Sequence, residues 1–185
     1  MKSHVYLTFD GECVEAFNFY KAIFNVKFTH FMKVKDSPMK DKMPEALHDK
    51  VMHCSLPITS HMELMGCDHM PMHKRKYTQG TNVQISLAPS TIEESDDLYK
   101  KLSQDGGEQL QPMAHMFWGS YFGFLVDRFG VFWMIDCHIS ENPKDQLQNS
   151  LTEMRASIRA ATDVADNLEK LVEAMPNPNK KAKHN

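Results

Sequence analysis

The sequence lacks the features that would place a protein in a membrane, in an oxidising compartment or on nucleic acid. No apolar run approaches the roughly 20 residues that a membrane-spanning helix needs, and the first residues contain no stretch typical of a signal peptide. The formal net charge of −3 at pH 7 supplies no basic field for nucleic acid. We therefore expect a cytoplasmic protein that binds neither membranes nor nucleic acid.

The sequence also lacks the short motifs of several enzyme classes. The absence of GxGxxG and P-loop patterns argues against dinucleotide cofactors and nucleotide hydrolysis, and no GxSxG elbow occurs. The four cysteines form no CxxC pair, so we expect reduced, buried thiols. Cys54 adjoins His53, but neighbouring strand residues point to opposite faces, which excludes a direct nucleophile pair.

What is present is a pattern of strands and helices that occurs twice. In the first half, apolar residues alternate up to Phe9, a turn follows at Asp10-Gly11, and helical spacing runs from Glu12 to Asn25. A strand over 27–35 follows, then a mobile loop with two prolines. Strands over 51–58 and 61–66 are predicted to form a hairpin through Thr59-Ser60.

The second half repeats this order. Residues 82–88 alternate, with Val83, Ile85 and Leu87 on the face expected to join the core. A helix should begin at an S-x-x-E capping box of Ser90 and Glu93, and three apolar segments complete the half. Phe19-Tyr20-Lys21 corresponds to Leu98-Tyr99-Lys100 at a fixed offset. We predict an α+β fold in which two βαβββ repeats form a cupped mixed sheet around a pocket.

A change of composition after Glu141-Asn142-Pro143 predicts a separate helical region. We expect one domain over 1–140, an amphipathic helical extension over 141–176 and a disordered tail over 177–185. The helix should either pair with its copy in a homodimer, which we favour, or lie along its own domain. Its apolar positions are spaced alternately four and three residues apart: Leu147, Leu151, Met154, Ile158, Ala161, Ala165, Leu168, Val172 and Met175.

These segments resemble the PhnB-like branch of the vicinal-oxygen-chelate superfamily, which also contains glyoxalase I, bleomycin-resistance proteins and ring-cleaving dioxygenases. The resemblance covers residues 4–138. It is carried by YLTFDGECVEAFNFYKAIFN, the strands ending HMELMG, the NVQISL strand and, most specifically, FWGSYFGFLVDRFGVFWMIDC. Similar proteins are sometimes labelled quinone-biosynthesis methyltransferases, but no glycine-rich turn typical of that chemistry is visible.

The resemblance implies four strand positions that hold a divalent ion in the metal-dependent members of the superfamily. They fall on Tyr6 (or Val5, if the alignment has no gap), Glu63, Asn82 and Met134. Only Glu63 is a ligand of the expected kind, and one carboxylate with an amide holds an ion weakly. We therefore expect no metal or other cofactor. The alternative is a rearranged site formed by His4, His61 and Glu63.

A second histidine-rich stretch spans residues 61–73. Its residue types suit zinc, but only His69 and His73 have a short paired spacing. The neighbouring residues from Met70 to Lys76 are typical of an exposed loop. We interpret these histidines as surface residues.

The function predicted from these observations is binding of a small organic molecule in the pocket. The alternative is a glyoxalase- or dioxygenase-type metalloenzyme, a lyase or dioxygenase in which Glu63 ligates the ion and acts as a base. A third possibility is an interaction protein that binds its partners through the helical extension over 141–176. The residues expected to line the pocket combine aromatic surface with hydrogen-bonding groups: Tyr6, Thr8, Glu63, Asn82, Gln84, Ser86, Trp118, Met134 and Asp136.

Overall fold

The structure is a computed structural model that describes residues 4–72, 74 and 76–139, together with scattered residues between 151 and 168. Within residues 4–139, two α-helices and eight strands form two βαβββ units, with three short 3₁₀ turns between residues 34 and 47. The elements are β1 (Val5–Phe9), α1 (Cys13–Ile23), β2 (His30–Lys33), β3 (Val51–Pro57), β4 (Glu63–Asp68), β5 (Ile85–Leu87), α2 (Ile92–Leu102), β6 (Glu108–His115), β7 (Ser120–Val126) and β8 (Phe132–His138).

The two halves have the same topology. The first sheet has the order β1-β4-β3-β2 and the second has the order β5-β8-β7-β6. In each sheet the first strand pairs in parallel with the last, as β1 does with β4 and β5 with β8. The predicted α+β class and its internal repeat are confirmed.

Strand alternation gives the first sheet a core face and an open face. Leu7 pairs with Gly66, which pairs with Cys54, and this row faces the ring of Phe17 on α1. The neighbouring row, Tyr6, Met65, Ser55 and His30, points away from the helix. Tyr6, Ser55 and His30 therefore lie on the face of the sheet opposite α1, which we call the open face.

The core of the second sheet meets α1 through one buried carboxylate. Asp127 accepts hydrogen bonds from the Tyr20 hydroxyl and the Trp133 indole, each at 2.8 Å. It also accepts the backbone N–H groups of Phe129 and Val131, which closes the turn between β7 and β8. The stretch that most specifically carried the family resemblance thus contains a structural anchor that joins the two repeats.

Two details of the second repeat differ from prediction. Strand β5 starts at Ile85, and Val83 is 67% exposed rather than part of the core, because the chain has not yet joined the sheet there. The helix cap is one residue later than expected: the Thr91 side chain accepts the N–H of Glu94, while the Glu94 carboxylate accepts the N–H of Ser90. The capping-box interaction is present, but its residues are Thr91 and Glu94.

The histidine-rich stretch that begins at residue 61 is partly buried, and so is the start of the loop expected from Met70 onward. Strand β4 continues beyond Gly66, so Cys67 and Asp68 belong to the sheet. Asp68 is 1% exposed because its carboxylate accepts the N–H groups of Cys13 and Val51. Met70 is also buried, at 3% exposure. Cys67, Asp68 and Met70 are therefore buried parts of the fold. Pro71 and Met72 are exposed, as expected for a loop.

The chain divides into two compact units, residues 1–114 with 121–138, and residues 115–120 with 139–185. Within the second unit, a tight turn between β6 and β7 exposes Phe117 and Trp118, whose rings meet edge to face. The described residues between 151 and 168 are helical, but most of the predicted extension over 141–176 and the whole predicted tail over 177–185 lie outside the described residues. No helix of the described residues is long and apolar enough to cross a membrane.

Candidate functional site

A cavity of about 380 Å³ lies where β1 meets the second repeat. Its apolar wall comes from both sheets, including Leu7 and Phe9 of β1, Ile85 of β5 and Phe132 of β8. Thr8 and Phe132 lie on the open faces of their strands, whereas Leu7, Phe9 and Ile85 lie on the core faces, so the cavity sits at the edge between the two faces. A segment over 76–80 and His69 add polar groups to the wall. Mixed walls of this kind suit a small organic molecule.

Two strand positions from Thr8, the open face of the first sheet carries a cluster of aromatic and imidazole groups. The Tyr6 hydroxyl lies 3.1 Å from Nδ1 of His53, and the two rings stack with centroids 5.6 Å apart. Ser55 Oγ lies 3.4 Å from the other ring nitrogen of His53. The His30 ring lies beside His53, at 5.3 Å between centroids. Both nitrogens of His53 are therefore held by hydroxyl groups.

The electrostatics of this cluster favour neutral groups. Burial lowers the pKa of His53 below its ordinary value, the nearby His30 lowers it further, and Glu63 raises it. Burial is also the main reason that the pKa of the Tyr6 phenol lies well above its ordinary value. At neutral pH, Tyr6 therefore keeps its proton and His53 is an uncharged imidazole. The pair can exchange hydrogen bonds with a ligand without a net charge.

Glu63 lies at the start of β4 on the same face and already has partners. The Thr29 hydroxyl donates to Glu63 Oε1 at 2.6 Å, and His4 Nδ1 lies 3.7 Å from Glu63 Oε2. The Glu63 side chain retains 25% exposure. It is thus a paired carboxylate at the edge of the open face, accessible to a molecule bound there.

The open face of the second sheet contains three of the predicted residues. Ser86 of β5 lies opposite Met134 of β8, and Asp136 follows on the same face of β8. Ser86 is exposed, whereas Met134 and Asp136 are partly buried. Asn82 and Gln84 precede β5 and are exposed. Only Thr8, of all the residues predicted to line the pocket, contacts the cavity itself.

Trp118 belongs to the second compact unit. Its indole is 50% exposed and packs against Phe117 at the turn. Trp118 was expected from the sequence to line the pocket. An exposure of one half is not that of a core residue, and its role in a pocket stays a prediction.

The residues at the four superfamily positions do not fit a divalent ion. Tyr6 keeps its phenolic proton and is bonded to His53, and Asn82 lies outside the sheet. Met134 offers a thioether, which hard cations disfavour. Glu63 is the one suitable donor of the four, and His4 is its neighbour in the rearranged alternative. The described residues contain no group of three His, Cys, Asp or Glu side chains that could hold an ion.

Sequence reasoning missed the residues that organise the cluster, His53, His30 and Ser55. The signal was present, since His53 and Ser55 are two apart on a strand whose intervening residue, Cys54, belongs to the core. It was overlooked because His53 was considered only as a partner of Cys54. The polar segment over 76–80 gave no signal, because a cavity wall formed by a connecting segment has no periodicity.

Comparisons with known proteins agree on one group of relatives. Residues 1–136 match the family described as 3-demethylubiquinone-9 3-methyltransferase. The structure of protein PA1353 from Pseudomonas aeruginosa is similar with a TM-score of 0.64 and 32% identity, covering 75% of this chain and 98% of that one. A putative 3-demethylubiquinone-9 3-methyltransferase, PhnB protein, from Bacillus cereus gives a TM-score of 0.59 and 25% identity, covering 74% and 99%.

A more distant structure places the fold in a wider group. A glyoxalase/bleomycin resistance protein/dioxygenase family enzyme from Burkholderia phytofirmans has a TM-score of 0.53 at 14% identity, covering 74% of this chain and 98% of its own. At that identity the likeness concerns the fold alone. This fold agrees with the vicinal-oxygen-chelate fold that the sequence resemblance implied.

Proposed function

Since the chain belongs to the 3-demethylubiquinone-9 3-methyltransferase family of PhnB-like proteins, with the vicinal-oxygen-chelate fold, we propose that it binds a small organic molecule in the cavity where β1 meets the second repeat. The observation that carries this proposal is the cavity of about 380 Å³, to which both repeats contribute. Its volume lies within the usual range for small-molecule sites, and its wall is mostly apolar with a few polar groups.

The bound molecule would lie along β1. Its apolar part would contact Leu7, Ile85 and Phe132, which form the cavity wall. Its polar part would extend past Thr8 toward the Tyr6–His53 pair, where hydroxyl and imidazole groups offer hydrogen bonds. Binding of this kind uses no metal ion, in agreement with the poor fit of the four superfamily positions.

Methyl transfer, the activity in the family's description, is not part of this proposal. The usual methyltransferase fold places a glycine-rich turn after a parallel strand. In this chain the turn after the parallel strand β1 contains Asp10, Gly11 and Glu12 and leads directly into α1. A single glycine there, with φ of 102°, provides the turn but no extended backbone cradle.

Blocking the cavity tests the proposal. Val83 lines the cavity and is 67% exposed, so Val83→Trp should fill the space without disturbing the core. Leu110→Trp is the matched control, since Leu110 is 41% exposed on β6 and does not line the cavity. A ligand at about 100 times its Kd stabilises the folded state by about 2.7 kcal/mol.

The experiment is a thermal-shift screen of a fragment library against wild-type protein and both variants. Compounds that raise the melting temperature of wild type and Leu110→Trp, but not of Val83→Trp, are expected. Compounds that stabilise all three proteins equally would place binding elsewhere and overturn the proposal.

We further propose that the helical extension predicted over 141–176 pairs with the same helix of a second copy of the chain. Supporting this, its described apolar residues Leu151, Met154, Ile158 and Leu168 follow the four-three spacing and are each at least 39% exposed. Replacing both Ile158 and Leu168 by Glu in the full chain should give a monomer by sedimentation velocity. Asn167→Glu, outside the apolar stripe, should leave the dimer intact. A dimer in both variants would remove the helix from assembly.

A further inference from the structure

One oxygen of Asp136 is buried and unbonded. The residues on either side of it in β8, Ile135 and Cys137, are core residues, so the Asp136 side chain points to the open face of the second sheet. Within the part of the chain that the structure describes, no group donates a hydrogen bond to Oδ1 of Asp136. Buried polar atoms almost always have partners, so an orphaned carboxylate oxygen indicates where a donor from outside the chain belongs.

The residues that precede Asp136 along β8 on this face offer no donor. Met134 and Phe132 precede it at the two-residue spacing of the strand, and the ring of Phe124 lies 6.0 Å from that of Phe132. These side chains offer an apolar and polarisable surface with no N–H or O–H group. A carboxylate oxygen that has no partner beside such a surface bonds strongly to a cationic donor that reaches it.

The charges of the open faces have one sign. Glu63 on the first sheet and Asp136 on the second are both carboxylates. On the described strands whose pairing is known, the side chains that point to the open face include neither lysine nor arginine. His53 on that face is uncharged at neutral pH, because burial lowers its pKa. The cation of the cavity wall, Lys76, lies apart from the strands, on the connecting segment.

We propose that the ligand class of this protein is a small organic cation, an amine whose N–H group bonds to Asp136 while its apolar part packs on Phe132 and Met134. The proposal rests on the proposed function, since the molecule would extend from the cavity, which Phe132 lines, along the open face of β8 to Met134 and Asp136, which do not line the cavity. Aromatic faces add to the attraction, because the negative face of a ring favours an ammonium group. The rotation of an Asp carboxylate is soft and roughly two-fold, so either oxygen can turn toward the donor.

The test compares three probes of nearly equal size: 2-phenylethylamine, 2-phenylethanol and phenylacetate. Their binding to the full chain at neutral pH is measured by calorimetry for wild type, Asp136→Asn and the control Asp41→Asn, whose side chain is exposed on a 3₁₀ turn. We expect wild type to bind the amine about tenfold more tightly than phenylacetate, because a charge-assisted hydrogen bond is lost with the anion. Asp136→Asn should weaken amine binding about tenfold, and Asp41→Asn should not change it.

A second readout separates this role from a structural one. If Asp136 serves a ligand rather than the fold, the ligand-free Asp136→Asn protein should unfold at the same urea concentration as wild type, because Oδ1 makes no hydrogen bond with the described part of the chain that could be lost. Equal binding of the amine and phenylacetate, or amine binding unchanged in Asp136→Asn, would overturn the cation proposal. Tight binding of phenylacetate or the alcohol alone would overturn it and leave the proposed function standing. Destabilisation by Asp136→Asn without a change in amine binding would make Asp136 a structural residue.

Discussion

The hydroxyl of Tyr6 lies 3.1 Å from Nδ1 of His53, on strands β1 and β3, which are separated by β4. The bond therefore spans a whole strand across the open face. It holds the aromatic ring of Tyr6 beside that of His53 although Tyr6 is 51% exposed. A ligand that enters along β1 meets a fixed pair of rings, and an ordered surface loses less entropy on binding than a mobile one.

The titration of His53 should respond in opposite directions to its two charged neighbours. His30→Asn should raise the pKa of His53, because His30 lowers it, and Glu63→Gln should lower it, because Glu63 raises it. The pKa is measured from the imidazole proton shifts by NMR. Shifts of the same sign in both variants would contradict the arrangement of charges described for this face.

The same pKa shift predicts how stability depends on pH. The folded-state pKa of His53 is depressed below the ordinary value of 6.5. Its contribution to stability is therefore complete above pH 6.5 and is lost as the pH falls through the folded pKa. The stability difference between wild type and His53→Gln, measured by urea unfolding, should change across this pH window. A difference that is constant from pH 5 to pH 8 would show that His53 has an unperturbed pKa.

Asp127 should be among the side chains whose loss costs the most stability. Asp127→Ala leaves the Tyr20 hydroxyl and the Trp133 indole without an acceptor in the core, which should cost about 3–5 kcal/mol of unfolding free energy. Tyr20→Phe removes one donor and should cost about 1.5–3 kcal/mol. Asp105→Asn is the control, since Asp105 is exposed and lies 3.7 Å from Arg128. Urea unfolding measures all three, and a small loss for Asp127→Ala would contradict its anchoring role.

The start of α2 provides a test with adjacent residues. Thr91→Ala removes the side chain that accepts the N–H of Glu94 and should cost about 1 kcal/mol. Ser90→Ala should cost almost nothing, because Ser90 contributes its backbone N–H to the Glu94 carboxylate. Comparison of the unfolding free energies of Thr91→Ala and Ser90→Ala shows which of the two residues caps α2. A larger loss at Ser90 would restore the S-x-x-E assignment made from sequence.

Gly66 allows α1 to pack closely on the first sheet. A Cβ atom at this position would lie 2.7 Å from Cζ of Phe17 and 3.0 Å from the Leu7 carbonyl oxygen. Gly66→Ala should therefore cost about 1–3 kcal/mol. The double variant Gly66→Ala/Phe17→Leu should lose less than the sum of the two single variants, since the smaller side chain relieves the clash. Strict additivity in urea unfolding would show that the two residues do not meet.

Much of the fold could be predicted from the sequence because its periodicities are local. Alternation identified β1, and the helical spacing ending at Asn25 predicted α1, after which the chain reverses with φ of 50° at Asn25. Val83 was assigned to the core because alternation began before the strand did. Periodicity reports which residues share a face, but pairing with β8 decides where the strand starts.

The candidate site was less predictable, because it depends on contacts between distant strands. Tyr6 and Glu63 were recognised through the family resemblance, whereas their partners His53 and Thr29 are set by strand register and by the chain before β2. The orphaned oxygen of Asp136 depends on what surrounds it in three dimensions. No spacing along the chain encodes that environment.

The most direct test of small-molecule binding is a native mass spectrum of the full chain purified without added metal. We predict an adduct with the mass of a small organic molecule on the wild-type protein and on Leu110→Trp, and its loss from Val83→Trp, whose indole fills the cavity. A polypeptide that carries a stoichiometric divalent ion, released by Glu63→Ala, would contradict the account and favour a metalloenzyme. An adduct that persists in Val83→Trp would equally contradict it, because the molecule would then lie outside the cavity.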